Sequence, residues 1–287
     1  MPQEAVPLLR KWLIRKLETE PGAWFNAQSA AIANDAGDAN EATLDIALGL
    51  VPRRLGKGSL GLTAVDLAEA DSAVKGWRPV AWSVSDAARI LLLCEMRPGK
   101  KTFAERFRSL CQTADAAELV TLYRGLPLYP TPEALQAQVG EGLRSNMRVV
   151  FEAIAHHSPF PQTHFDLHRW NHMVLKALFT DSPLAPIQGL DARANAELAR
   201  IMCDFAHERW AAGRRVPVEI WRCVGPFAEG AMVNDLARVL ASGDATERRA
   251  AAIALTASPD PRAAQILQTA PELKAEVASG KLDWATL

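Results

Sequence analysis

Apolar residues recur along this chain at three- and four-residue intervals from its first segment onward, the spacing that collects them on one side of an α-helix. Leu9, Trp12, Leu13 and Leu17 form such a stripe, with Lys16 able to lay its methylenes along apolar surface while its ammonium stays in water. A second helix is expected from Pro21, carrying Trp24, Phe25, Gln28 and Ile32. A third is expected from Asn40 through Leu44, Ala47, Leu48 and Val51, ended or kinked where Pro52 lacks the N–H that would continue the ladder. Thr63 is the expected cap of a helix with Val65 and Leu67, and Ser85 of one through Ile90, Leu91 and Leu92. Thr102 is expected to cap a helix with Phe103, Phe107 and Leu110, and Thr113 or Asp115 one through Leu119, Leu122 and Leu126.

The longest stripe, Leu135, Val139, Leu143, Met147, Val150, Phe151 and Ile154, predicts a helix from about Pro132 to His157 as the central packing element. Helices are expected at 166–179, 191–212 and 217–227. Asp244 with Glu247 then opens an alanine-rich segment that stops at Ser258-Pro259, and a short helix follows in DPRAAQILQTA. Only WRPVAWSV, residues 77–84, has strand texture, and its proline and isolation make it a connector. The expected fold is therefore all-α, an irregular α-solenoid of helical hairpins, HEAT-like toward the C-terminus, whose small residues permit close stacking. Three regions are expected: 1–112, 113–227 and 228–287.

Charge excludes more than it suggests. The 32 basic and 33 acidic residues nearly cancel, so there is no global field to hold a polyanion, and nucleic acid is not an expected partner. The first twenty residues mix charge into their apolar pattern, unlike a signal peptide. No stretch approaches the roughly 18 uncharged apolar residues of a membrane span. A cytoplasmic protein without an integral membrane segment is expected. Cys94, Cys111, Cys203 and Cys223 are too widely spaced for a disulfide framework or zinc ribbon and read as reduced, mostly buried thiols.

Several motifs fail on context. Gly56, Gly58 and Gly61 spell GxGxxG, but no strand precedes them, so the segment reads as a flexible loop. RPGKKT resembles the end of a phosphate loop, yet Cys94 stands where its first glycine belongs. His164, His168 and His172 repeat every four residues, and Cys203 and His207 sit one turn apart; ordinary hydrogen bonding is the simpler reading, and neither a metal nor any cofactor is expected. Glu208 follows His207, but residue 211 is alanine, so HExxH is absent. No set of catalytic residues assembles from spacing alone.

Polar residues inside apparently central helices stand out: Arg144, Asn146, Asn171, Lys176, Arg193, Asn195, Glu208 and Arg222. Unsatisfied buried polar groups cost about 1–3 kcal/mol, so such residues either pair with each other or line a wet pocket. In the pocket reading, Arg144, Lys176, Arg193 and Arg222 outnumber Glu208 and suit an anionic or polyhydroxylated ligand.

LYRGLPLYPTPEAL, EGLRSNMRVVFEAIAHHSPFP, WNHMVLKALF, IQGLDARANAELARIMCDFAHERWAAGR and WRCVGPF, in this order over residues 118–227, resemble the characteristic blocks of the EboA family. The first 110 residues carry no such block. The resemblance implies a bacterial or plastid-type gene cluster of secondary metabolism that moves precursors toward the cell envelope, alongside prenyltransferase-like and hydrolase-like enzymes. It carries over no catalytic residue. Arg144, Asn146, Asn171, Lys176, Arg193, His207, Glu208, Arg209, Trp210, Trp221 and Arg222 match family blocks without an assigned role. The resulting expectation is a non-catalytic helical scaffold or ligand-binding protein that takes an anionic or lipid- or sugar-linked small molecule, or binds proteins of the same cluster. The alternative is an enzyme or enzyme subunit acting on a phosphorylated or prenylated small molecule, with Lys176, His207 and Glu208 as acid and base.

Overall fold

The computed structural model describes residues 4–34, 38–97 and 99–287, and helix makes up 69% of it, with no strand among the described residues. The expectation of an all-helical chain holds. Extended backbone pairs only in two isolated bridges, Ser59 with Ser83 and His156 with Ile187. The chain folds as two compact units, 1–166 with 186–188, and 167–185 with 189–287. The division falls inside the 113–227 stretch that the sequence pattern groups as one region.

The first unit holds ten helices among its described residues: α1 (Ala5–Lys16), α2 (Thr19–Asn34), α3 (Asp38–Leu55), α4 (Ala64–Ala73), α5 (Val84–Cys94), α6 (Phe103–Thr113), α7 (Ala116–Arg124), α8 (Pro132–Arg144), α9 (Arg148–Ala155) and α10 (Phe160–His164). Pro52 lies within α3 and does not end it. The central element is α5, not the segment 132–157. Nine of its eleven residues are buried, and it packs against α1, α2, α3 and α7. Burying Ile90, Leu91, Leu92 and Leu93 stabilises the unit by roughly 1.5–3 kcal/mol each. A helix that is apolar on nearly every side, as VSDAARILLLC is, can only sit inside a bundle.

The single long helix expected over 132–157 is two. It breaks at Ser145–Met147, where the Ser145 hydroxyl accepts from the Met147 amide at 3.1 Å. Serine and asparagine side chains compete for backbone partners and loosen a helix there. Leu143 and Val150 are seven residues apart, so the apolar stripe stays in phase across the break, and periodicity alone does not reveal it.

Capping boxes set the helix starts: Thr63 with Asp66, Thr102 with Glu105, and Asp115 with Glu118. The cap of α5 is Ser83 with Asp86, two residues earlier than the expected Ser85. Trp77 packs between Trp12 and Trp82, tilted against the first and edge-on to the second, with ring centroids 5.8 and 5.9 Å away, and anchors the connector before α5.

The second unit contains α11 (Leu167–Phe179), α12 (Ala196–Ala211), α13 (Ile220–Val224), α14 (Ala231–Ser242), α15 (Ala245–Ala257), α16 (Pro261–Leu267) and α17 (Pro271–Ala278). The helix expected from 191 starts later because Asn195 caps it, its side chain accepting from the Leu198 amide at 2.9 Å. Asp244 and Glu247 box the start of α15, as the sequence pattern indicates. The alanines of α15 let neighbours come close. A Cβ on Gly225 would lie 2.8 Å from the Cα and carbonyl oxygen of Ala254. No helix among the described residues is long and apolar enough to cross a membrane.

Candidate functional site

The polar residues singled out in the sequence have separate occupations. Arg144 is exposed and paired with Glu141 one turn back, and Asn146 is exposed in the break between α8 and α9. Both belong to the first unit, and neither faces the interior as the continuous helix implied. The remaining six lie in the second unit. Asn171 is buried and exchanges amide hydrogen bonds with Asn195 at 3.0 and 3.3 Å. The guanidinium of Arg193 lies 4.8 Å from the Trp170 ring, and Arg222 makes a bidentate pair with Asp191, at 2.6 Å on both arms. His207 Nε2 lies 2.9 Å from the Asp235 carboxylate, while Glu208 is exposed. Burial lowers the Lys176 ammonium below its ordinary pKa. The counter-ion of Arg222 is Asp191, a residue outside the polar set singled out in the sequence.

Near them, Trp210 stacks on Trp221 at 5.9 Å and carries Arg238 over its ring at 4.2 Å, while Arg209 lies over Phe205. The His168 and His172 rings are 4.2 Å apart, and His164 packs on Phe160. Among the described residues no three His, Cys, Asp or Glu side chains gather as a metal ion would require. All four cysteines are free thiols pushed up to about 12, first by burial, so none offers a thiolate nucleophile near neutrality. The phosphate-loop-like run includes Pro98, which lies outside the described residues.

A broad concavity lies elsewhere, wholly within the first unit, and the sequence pattern did not point to it. It is a cleft of about 850 Å³ walled by the 77–83 connector, the starts of α5 and α7, and the segment 149–158. That volume lies in the range of small-molecule sites. Its framework starts from Asp86, a buried carboxylate at the third position of α5. One oxygen accepts from the Ser83 amide and hydroxyl and from Arg124, each at 2.8 Å; the other accepts from the Thr121 hydroxyl at 2.5 Å. A single side chain thus caps α5 and ties it to α7. The glycine-rich segment is likewise ordered at this edge. The Ser85 hydroxyl donates to the Gly56 carbonyl at 2.6 Å, and the Val84 amide to Gly58 at 2.9 Å. Gly56 and Gly61 adopt φ of +81° and +68°, which accounts for two of the three glycines as turn formers.

Two residues of the cleft wall hold left-handed backbone without being glycine, Ala81 at φ +58° and His157 at φ +57°. Such conformations cost about 1–3 kcal/mol and concentrate at ligand sites. The two segments are tied together by the Arg78 amide donating to the His157 carbonyl at 3.0 Å.

Charge in the cleft sorts into committed and uncommitted groups. Arg124 is neutralised by Asp86, Arg89 by Glu118 at 3.0 Å, and Glu152 by Arg148 at 2.6 Å, while Asp115 caps α7. Lys57 and Arg78 make no side-chain hydrogen bond or ion pair among the described residues. The imidazole of His157 titrates below its ordinary value, because of burial first and then the neighbouring His156, Arg78 and Arg124. Its Nδ1 is buried with no hydrogen-bond partner among the described residues. Val80, Trp82, Val120, Val149 and Ala153 supply apolar wall. The sequence did carry a signal for this site: an aspartate three residues after a serine, opening a mostly apolar helix directly behind a Trp-x-x-x-x-Trp connector.

A family described as metabolite traffic protein EboA matches residues 5–225. The match begins far ahead of residue 118 and takes in every residue of the cleft. No curated protein and no solved structure matches the chain.

Proposed function

This chain belongs to the EboA family of metabolite traffic proteins, and from that premise we propose that it takes up an anionic small metabolite in the cleft of its first unit and hands it on chemically unchanged. The observation that carries the reading is the pair of cations on the cleft wall, Lys57 and Arg78, whose side chains make no hydrogen bond or ion pair among the described residues. A bound anion would give them one. Carriage fits the cleft better than catalysis. Asp86 has both carboxylate oxygens occupied by four donors and is poorly placed to move a proton, and none of the four cysteines lines the cleft. The enzymatic alternative through Lys176, His207 and Glu208 has less support, since His207 is engaged with Asp235 and Glu208 stands at the surface.

In this reading the second unit is the partner-facing part. Its alanine-stacked helices α14–α17 form the HEAT-like end of an irregular α-solenoid, and they would receive proteins of the same gene cluster in the cytoplasm. Asn171, Arg193 and Arg222 then serve to hold that unit together through Asn195, Trp170 and Asp191.

Native mass spectrometry of the protein purified from its own host cells tests the proposal. The wild-type chain should retain an anionic molecule of small mass, recovered unaltered after incubation. Lys57→Ala with Arg78→Ala should lose it at an unchanged melting temperature. Each hydrogen bond to a charged group is worth about 1.5–3 kcal/mol, or roughly tenfold to a hundredfold in affinity. Retention of the molecule by the double variant, or its conversion during incubation, would overturn the reading.

A further inference from the structure

His157 sits in the cleft wall just after α9, and its backbone is pinned from both sides. Its amide donates to the Pro186 carbonyl at 2.9 Å, and its carbonyl accepts from the Arg78 amide at 3.0 Å. Left-handed backbone in a residue other than glycine persists only where such contacts over-determine it. The bond to Arg78 also sets the two residues side by side on one wall of the cleft.

The imidazole, by contrast, has no hydrogen-bond partner on either nitrogen among the described residues, and of the two only Nδ1 is buried. A proton on Nδ1 would be sealed from water with no acceptor, in the field of Arg78 and Arg124. On Nε2 the proton can be hydrated while the cleft is empty and donated when it is filled. A neutral ring in that tautomer supplies a directional donor without adding a third positive charge beside Lys57 and Arg78.

We propose that His157 is a ligand contact of the cleft, a neutral imidazole whose Nε2–H donates to an oxygen of the bound molecule next to Arg78, and that the ligand is accordingly an oxyanion. The inference rests on the carrier reading above and adds a third donor and the class of anion that suits it. An oxyanion has several acceptor oxygens, so one can take the Nε2 proton while the others meet the two cations. An anion without directional acceptors would leave that donor unused.

Sulfate, which stays fully ionised and acceptor-only around neutral pH, is the probe, titrated by calorimetry into the full chain and two variants. Glutamine carries its amide nitrogen to roughly the position of Nε2, whereas asparagine carries it to that of Nδ1 and tolerates left-handed backbone well. His157→Gln should bind sulfate within about threefold of wild type, and His157→Asn about tenfold or more weaker, the loss of one hydrogen bond to a charged group. Melting curves check that each variant folds. Untagged wild type, isotope-labelled at the ring nitrogens of its six histidines, supplies a test that needs no variant. In its NMR spectrum one neutral ring with the proton on Nε2 should shift when sulfate is added.

Equal affinity in wild type and both variants overturns the proposal and leaves the cleft of Lys57 and Arg78 standing as an anion carrier. Equal loss in both variants overturns it too, since the position of the donor then does not matter. So does sulfate binding that shifts no such ring, or that shifts only an imidazolium. Absence of sulfate binding by the wild type removes the oxyanion site itself, and with it both readings.

Discussion

Replacing Asp86 by asparagine removes one charge and changes almost no volume, so its effect isolates the electrostatics that join α5 to α7. The carboxylate accepts four hydrogen bonds, three of them on the oxygen that faces Ser83 and Arg124. An asparagine can point its single oxygen at Thr121 or at Ser83, and in either rotamer its NH2 meets donors. Loss of the capping acceptor costs about 1 kcal/mol. Breaking a fully buried ion pair costs about 3–5 kcal/mol, but Arg124 is 29% exposed and keeps some water, so about 2 kcal/mol is the fitting share. The sum, about 3 kcal/mol, corresponds to an opening constant roughly a hundredfold larger for the two helices. Hydrogen exchange followed by mass spectrometry on peptides from α5 and α7 reads this directly, and does not require the two-unit chain to unfold in one step. Arg124→Met in the same chain removes the stranded cation, so the double variant should be less destabilised than the sum of the singles. Acceleration below about fivefold in both helices, or strict additivity in the double variant, would refute the assignment of Asp86 as the tie between them.

Two further outcomes follow from packing and from charge. Gly225→Ala should lower stability by about 1–3 kcal/mol, visible as an earlier melt. Its Cβ meets the Ala254 backbone at 2.8 Å, and backbone in the middle of α15 has nowhere to move; an unchanged melt would show that the contact relaxes freely. Asp66 is buried and held well below the usual carboxylate range, chiefly by a bidentate Arg15 at 2.8 and 2.9 Å and also by Thr63. A depressed folded pKa contributes stability above the unfolded value, near 4, that is lost as pH falls through the folded value. Urea midpoints for the wild type should therefore decline on acidification below about pH 5, and those of Asp66→Asn should start lower and decline less. Parallel declines would contradict the linkage.

The sequence by itself determined the secondary structure and much of its punctuation. Apolar residues three and four apart, with Thr63, Thr102 and Asp244 ahead of an acidic residue three positions on, specify helices and their starts through local chemistry, and the structure agrees at each. The middle of the chain also carried the family resemblance in local blocks, which need no tertiary contact to be read, and the family match extends from there to residues 5–225.

What lay beyond reach depended on contacts far apart in sequence. Periodicity read straight through Ser145–Met147 because the stripe stays in phase across the break, and so Arg144 and Asn146 were expected inside when they are exposed. Asn171 and Arg222 were legible as polar groups in need of partners, but Asn195 and Asp191 are 24 and 31 residues away and only folding selects them. The cleft is the extreme case. Arg78, Asp86, Arg124 and His157 come from a connector, two helices and a helix end, and each has an ordinary explanation where it stands in the chain. Only the packing of α5 against α7, with the 77–83 connector tied to His157, brings them around one space and leaves two cations, Lys57 and Arg78, there without a side-chain hydrogen bond or ion pair among the described residues.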